Sequence, residues 1–181
     1  GALAGISKRI GALELHDVRR QHHEWDREAL AALRDGKIRD WTRAYREHER
    51  IHTAPTPGKV RERIVDDWWQ HAKTGGDAVM IAHRRSDVAD LNRRARERMH
   101  ADRRLSDREL TVGDRAFAEG DRVLARRNDR QLQITNGTRG RVLSIDPERR
   151  SLVAQSDAGE PTTLDAAYLD AGHLDHAYAT T

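Results

Sequence analysis

The sequence predicts an α/β fold with a small antiparallel β-barrel inserted into it. Three observations carry that expectation. Apolar residues in the first hundred positions recur at helical spacing. Ala78-Val79-Met80-Ile81-Ala82 is a short, continuously apolar run between Asp77 and His83, the pattern of a strand buried on both faces. From about residue 116 the period changes, and short β-type runs alternate with turn residues.

Leu13, Leu15 and Val18 suggest a brief strand or turn. Between His22 and Leu33, Trp25, Ala29, Leu30 and Leu33 form one helical stripe, and Gly36 can end that helix. Ile38, Trp41 and Tyr45 mark a second amphipathic helix that stops before Thr53-Ala54-Pro55-Thr56-Pro57. Thr56 and Pro57 suit an N-cap and a first turn, and Val60, Ile64 and Trp68 stripe the helix that follows, as far as Gly75-Gly76. Ser86 can cap the next helix, whose inward face is Val88, Leu91, Ala95 and Met99. The tryptophans at helical spacings, Trp25, Trp41 and Trp68, read as core; Trp69 cannot share a helix face with its neighbour.

Arg122–Ala125, Arg141–Ile145 and Ser151–Ala154 read as strands, separated by Asn128-Asp129, Asn136-Gly137 and Asp146-Pro147. Short, closely spaced strands of this kind predict a small barrel, with limits near Ala116 and Gly172. The expected organisation is therefore 1–115 as the helical and strand part, 116–172 as the barrel, and 173–181 as a strand returning to the first sheet.

Charge is distributed unevenly. Only four of the 33 basic residues are lysines (Lys8, Lys37, Lys59 and Lys73), so 29 are arginines. Residues 151–181 contain five acids and no Lys or Arg, which leaves +8 on the first 150 residues out of a net +3. Arginine suits phosphate, because its planar fork binds two oxygens and stays charged. The bland reading is a GC-rich genome that places arginine on any solvated face. The chain has no cysteine, which excludes disulfides and thiolate metal sites. No apolar run approaches the ~20 residues a membrane helix needs, and Gly1–Gly11 lacks a signal-peptide pattern, so the expected location is the cytoplasm, with no membrane partner.

Two motifs invite the wrong chemistry. His48-Glu49-Arg50-Ile51-His52 is a formal H-E-x-x-H, which on a helix would set two zinc ligands on one face. Arg50 places a cation beside that site, Thr53-Ala54-Pro55 ends the helix, and no third ligand stands out, so no metal is expected. Gly1–Lys8 faintly resembles a phosphate loop, but Gly5 is followed by Ile6 and Ser7 rather than Lys. The sequence contains no Walker A motif.

Four blocks, in order, resemble RecD-like superfamily 1 DNA helicases, and more narrowly the helicase part of conjugative relaxase–helicases of the TraI and TraA type. Leu15-His16-Asp17-Val18-Arg19-Arg20-Gln21 is similar to their L-T-x-V-x-R-Q segment. Ala78–Arg96, with Leu91-Asn92 and Ala95-Arg96, resembles a strand–helix block ending L-N-x-x-A-R. Gly120-Asp121-Arg122-Val123, Asn128-Asp129 and Asn136-Gly137-Thr138-Arg139-Gly140 resemble their G-D-x-V, N-D and N-G-x-x-G barrel insertion. Leu174–Thr181 resembles the strand that runs into motif V. The chain would then be a fragment between motif III and motif V, lacking Walker A, Walker B and motif VI.

The resemblance implies a partial RecA-like second motor lobe of the P-loop NTPase kind, carrying an SH3-like barrel. It implies an ATP-dependent helicase fused to a relaxase and acting in plasmid conjugation, with ATP and Mg²⁺ belonging to the full protein and no cofactor to this chain, which is expected to be inactive alone. Arg20 would be the motif IV arginine reaching the γ-phosphate of ATP; otherwise it is one more surface arginine. Gln21 either touches nucleotide or caps the next helix. Single-stranded DNA is the expected partner, beside the remaining lobes of the parent. The expected contacts are Arg122, Arg126, Arg127, Arg130, Arg139 and Arg141 on the barrel, with Arg84 and Arg85 after the buried strand. Scarce aromatics near the barrel point to sequence-neutral phosphate contact, against a plain solvated wall as the alternative. The rival function is a non-enzymatic module recognised by a secretion or coupling protein, with the acidic tail Asp157–Asp175 as its docking face.

Overall fold

The computed structural model describes residues 9–11, 20–157 and 159–181. Leu13, Leu15, Val18 and most of the first helicase-like block lie outside them, as does Gly1–Lys8. The chain divides into two compact units, 1–53 and 54–181, so the stretch expected as 1–115 is shared between them.

In the first unit, α1 (Glu24–Arg34) and α2 (Ile38–Glu47) form a helical hairpin. Gly36 turns the chain between them at φ +77°, a conformation that costs glycine nothing. Ala29 is buried, and the tryptophans are half-buried rather than core: Trp25 stacks on His48 at 3.8 Å, and Trp41 tilts against Tyr45 at 4.8 Å. The helix ends at Glu47, and Glu49 has φ +54°. His48 and His52 therefore do not share a helical face.

The second unit is α/β. Thr56 caps α3 (Pro57–Ala72) by accepting a bond from the Lys59 amide, as its side chain predicts. Val65 and Trp68 point inward from it, and Trp68 Nε1 donates to the Ala78 carbonyl at 3.1 Å. The apolar run yields only a two-residue strand, β1 (Met80–Ile81). It is not buried on both faces: Met80 is buried but Ile81 is 73% exposed, and among the described residues its one paired strand is β9 (Ala179–Thr180), in parallel. The next helix, α4 (Arg85–Ala101), starts before Ser86; its N-cap is Arg84, with no side-chain cap bond. Leu91, Ala95 and Met99 are buried on its inward face together with Val65, Trp68, Met80 and Tyr178.

A hairpin, β2 (Glu109–Val112) and β3 (Arg115–Ala118), leads into five antiparallel strands. These are β4 (Arg122–Ala125), β5 (Arg139–Asp146), β6 (Ser151–Ser156), β7 (Pro161–Leu164) and β8 (Leu174–His176), in the order β7-β6-β5-β4-β8. A short helix, α5 (Ala166–Asp170), capped by Asp165, precedes β8. The described strands form an open sheet with β7 and β8 at its edges, not a closed barrel. The hairpin supplies Leu110, Val112 and Phe117 to the core beneath it, which spares the sheet from closing on itself to bury Val123, Val142 and Leu152. The last segment is also split: β8 stays in this sheet beside β4, and only β9 reaches β1.

Two glycines of the helicase-like blocks are required by close approach. A Cβ on Gly120, at φ +95°, would stand 2.3 Å from the Arg104 carbonyl oxygen, and one on Gly140 would stand 2.4 Å from that of Gln155.

Candidate nucleic-acid interface

Within the second unit, a cleft of about 720 Å³ opens between α4 and the ends of β3, β4, β8 and β9. One wall is a stripe of α4 one residue over from its core stripe: Arg85, Asn92, Arg96 and His100. The other wall carries Arg115, Leu124, Arg126 and Asp175.

The floor is held by buried polar groups bonded within the chain. Asn92 pairs with the β9 backbone in both directions: its amide nitrogen donates to the Ala179 carbonyl (3.2 Å), and its oxygen accepts from the Ala179 amide (2.8 Å). Asp121 is 0% exposed. It accepts from Tyr178 Oη (2.7 Å), from the Ala118 amide (2.7 Å) and from Arg96 Nε (3.1 Å), and His176 Nε2 stands 3.9 Å away. A buried charge persists only when paired and fully hydrogen-bonded, and Asp121 meets that condition. Burial and the Asp121 charge push the Tyr178 phenol well above its ordinary value. Burial holds the His176 imidazole below its usual range, against the pull of Asp121. Arg96 also donates from Nη2 to Glu109 (2.7 Å), and that bond holds the Glu109 carboxyl below the ordinary range.

The arginines predicted from sequence fall in five places. Arg85 and Arg126 share the cleft. Arg122, Arg139 and Arg141 lie on one face of the sheet, where Arg122 stands opposite Arg141 across β4 and β5. Two of these are already engaged: Arg122 grips Asp157 with two nitrogens at 2.8 Å, and Arg139 reaches Asp77 at 3.3 Å. Arg141 has no carboxylate partner among the described residues. Arg127 and Arg130 sit exposed in the β4–β5 loop, with Arg127 Nη1 3.4 Å from His173 Nε2. Arg84 is exposed at the head of α4. In the first unit Arg20 is exposed, and the carbonyl of half-buried Gln21 accepts from Arg27 (3.1 Å).

Sequence reasoning missed Arg93, Arg96 and Arg115, which also line the cleft. The signal was present in the seven- and four-residue spacings from Arg85 through Asn92 and Arg96 to His100, which mark a second helical stripe. Among the described residues no group of three or more His, Asp or Glu could hold a metal ion, and no helix is long and apolar enough to cross a membrane. The cleft offers cations and backbone-anchored polar groups, an arrangement that binds anions.

A family model described as an AAA domain matches residues 1–56. The conjugal transfer protein TraA of Rhizobium radiobacter is 30% identical over 99% of this chain, and TraA of Agrobacterium fabrum is 29% identical over the same share. The chain resembles a stretch of TraA from end to end. It spans 16% of the length of these TraA proteins. The likeness to helicases of the TraA type, read from four short blocks, thus extends over the whole chain. Among solved structures, Bacteroides Pif1 bound to single-stranded DNA is 13% identical with a TM-score of 0.49, covering 90% of this chain and 40% of that one. A structure of two Pif1 helicases at forked double-stranded DNA is 14% identical with a TM-score of 0.46, covering 82% and 32%.

Proposed function

We propose that this chain is the part of an ATP-dependent DNA helicase that grips a single strand, and that the whole protein works in conjugal transfer fused to a relaxase. The observation that carries this reading is the arginine-lined cleft beside α4, in a chain similar along its length to TraA. On this reading α3, α4 and the β1–β9 pair belong to the second RecA-like motor lobe, and the open sheet with its hairpin is the SH3-like insertion. The strand's phosphates lie along the α4 wall at Arg85 and cross to Arg115 and Arg126. Contact of this kind is sequence-neutral, because phosphates position a strand and base edges specify it.

ATP and Mg²⁺ belong to the longer protein. On this reading other parts of that protein hold the nucleotide: the sequence here has no Walker A motif, and Arg20 is exposed. Arg20 fits the role of a cation reaching a γ-phosphate bound by other parts of the protein, and Gln21 lies next to it. Residues 1–56, which include both, match the AAA-domain model, and this supports their placement near nucleotide.

Fluorescence anisotropy with a labelled oligo-dT tests the reading. Binding should be micromolar at low salt and fall linearly in log–log form, by about 0.7 per phosphate contact. Affinity independent of salt contradicts it. The rival docking face is not favoured, because Asp157, Asp170 and Asp175 are each engaged by arginines of this chain, and Asp165 caps α5.

A further inference from the structure

We propose that Asp175 is a built-in competitor for the strand: its carboxylate occupies the place of a backbone phosphate between Arg115 and Arg126 and is displaced when nucleic acid binds. The inference rests on the single-strand reading of the cleft and deepens it.

Asp175 stands at the middle of β8 and faces the cleft beside Leu124, its register partner on β4. One carboxylate oxygen takes Arg115 Nη2 at 2.9 Å, and the other takes Arg126 Nε at 3.3 Å. Two guanidiniums from different elements, the start of β3 and the end of β4, thus converge on one carboxylate. A second carboxylate, Asp114, only reaches 4.0 Å from Arg115. The pair therefore carries more positive charge than Asp175 neutralises. The Arg126 terminal nitrogens have no hydrogen bond among the described residues, and the three side chains are 30–38% exposed for Asp175 and Arg115 and 42% exposed for Arg126. Their contact is open to solvent and hence exchangeable. A phosphodiester offers the same feature as the carboxylate: one negative charge shared by two oxygens that an arginine fork can span. Asp175 therefore does two things at once. It holds both arginines in the geometry that grips a phosphate, and it sets a threshold that the phosphate must overcome.

The threshold is measurable because exposed ion pairs are weak. Freeing two such contacts should tighten strand binding about three- to tenfold at low salt, and the gain should shrink as salt screens the site. The experiment compares the full 181-residue chain with Asp175→Asn and Asp170→Asn, using labelled oligo-dT at several salt concentrations. Asp170 pairs with Arg150 and does not line the cleft, so its variant changes net charge by the same amount elsewhere.

The proposal expects Asp175→Asn to tighten binding, Asp170→Asn to stay within twofold of the parent, and Arg115→Gln to abolish the gain in the Asp175→Asn background. If the parent binds with the expected salt dependence but Asp175→Asn leaves affinity unchanged or weakens it, the competitor idea is overturned and the strand reading stands. The same holds if Asp170→Asn tightens binding equally. If only Asp175→Asn binds, the competitor is supported and the strand reading of the parent fails; if neither binds, both fall. Should Asp175→Asn unfold, as circular dichroism would show, Arg115→Gln and Arg126→Gln in the parent decide. Each should weaken binding severalfold, and no change in either overturns the proposal.

Discussion

Asp121 shows what a single residue can hold together. It receives Arg96 from α4, Tyr178 from the segment before β9 and the Ala118 amide from its own turn, all in a place closed to water. Removing one partner of a buried pair costs about 3–5 kcal/mol, because the other charge stays behind. Asp121→Ala should therefore lower unfolding stability by that amount in urea titration; a loss under about 1 kcal/mol would contradict Asp121 as a buried, fully paired anchor. Burial holds the His176 imidazole, beside it, below the range of an exposed histidine. Its folded value lies below its unfolded one, so the unfolded chain binds the proton more readily. Its contribution is present above the ordinary histidine range and is lost as pH falls through the folded value. The urea midpoint should drop between pH 7.5 and 5.5, and His176→Gln should flatten that drop. Gly120→Ala should cost about 1–3 kcal/mol, since both the φ and the Arg104 carbonyl oppose a side chain. The sequence placed Asp121 and Gly120 inside a helicase-like block but did not say why. The reason is a set of partners 25 and 57 residues distant, and no local pattern encodes those separations.

At the scale of elements, the periodic signals were legible and the pairing partners were not. The helices α1 to α4 start and stop near their predicted ends, because caps, Gly36 and the apolar stripes are local properties. The strands β4, β5 and β6 follow the turn residues for the same reason. The expectation failed where a strand's burial depends on how many neighbours it has. Ala78–Ala82 is as apolar as a central strand, yet among the described residues only β9 pairs with β1, and Ile81 is exposed. A small barrel was expected, and the described strands form an open sheet, because short alternating strands look alike whether a sheet closes or a hairpin covers it. On α4 the core stripe was found and the stripe beside it was not, although Arg85, Asn92, Arg96 and His100 form the wall of the cleft. Asp90 ties this helix to α3: Arg61, Arg93 and Arg94 all donate to it. Partial burial opposes its ionisation, but those bonds prevail and hold its carboxyl at about 2. Its stabilising contribution is present above the ordinary carboxylate range and is lost as pH falls through about 2. Asp90→Asn should therefore destabilise the α3–α4 pair at neutral pH and change little near pH 2, as read by circular dichroism.

For the whole molecule, the excess of arginine proves to be spent in two ways. Many of the arginines pair with carboxylates, including those of the acidic tail, so net charge alone overstates what is free for a ligand. The cleft gathers five arginines and three acids, so its lining keeps an excess of positive charge even though Arg93, Arg96, Arg115 and Arg126 each touch a carboxylate. The sequence pointed to Arg122–Arg141, with six arginines against one acid, and to Arg84 and Arg85; of these, Arg122 and Arg139 face carboxylates on the sheet, while Arg85 and Arg126 meet Arg93, Arg96 and Arg115 in the cleft beside α4. The most direct test of the cleft as the strand's site is hydrogen–deuterium exchange of the chain with and without saturating oligo-dT at low salt. Protection should appear in peptides covering 85–100, 114–126 and 174–181. Protection confined to 139–157, or none at a concentration where anisotropy shows binding, would contradict the placement of the strand in this cleft.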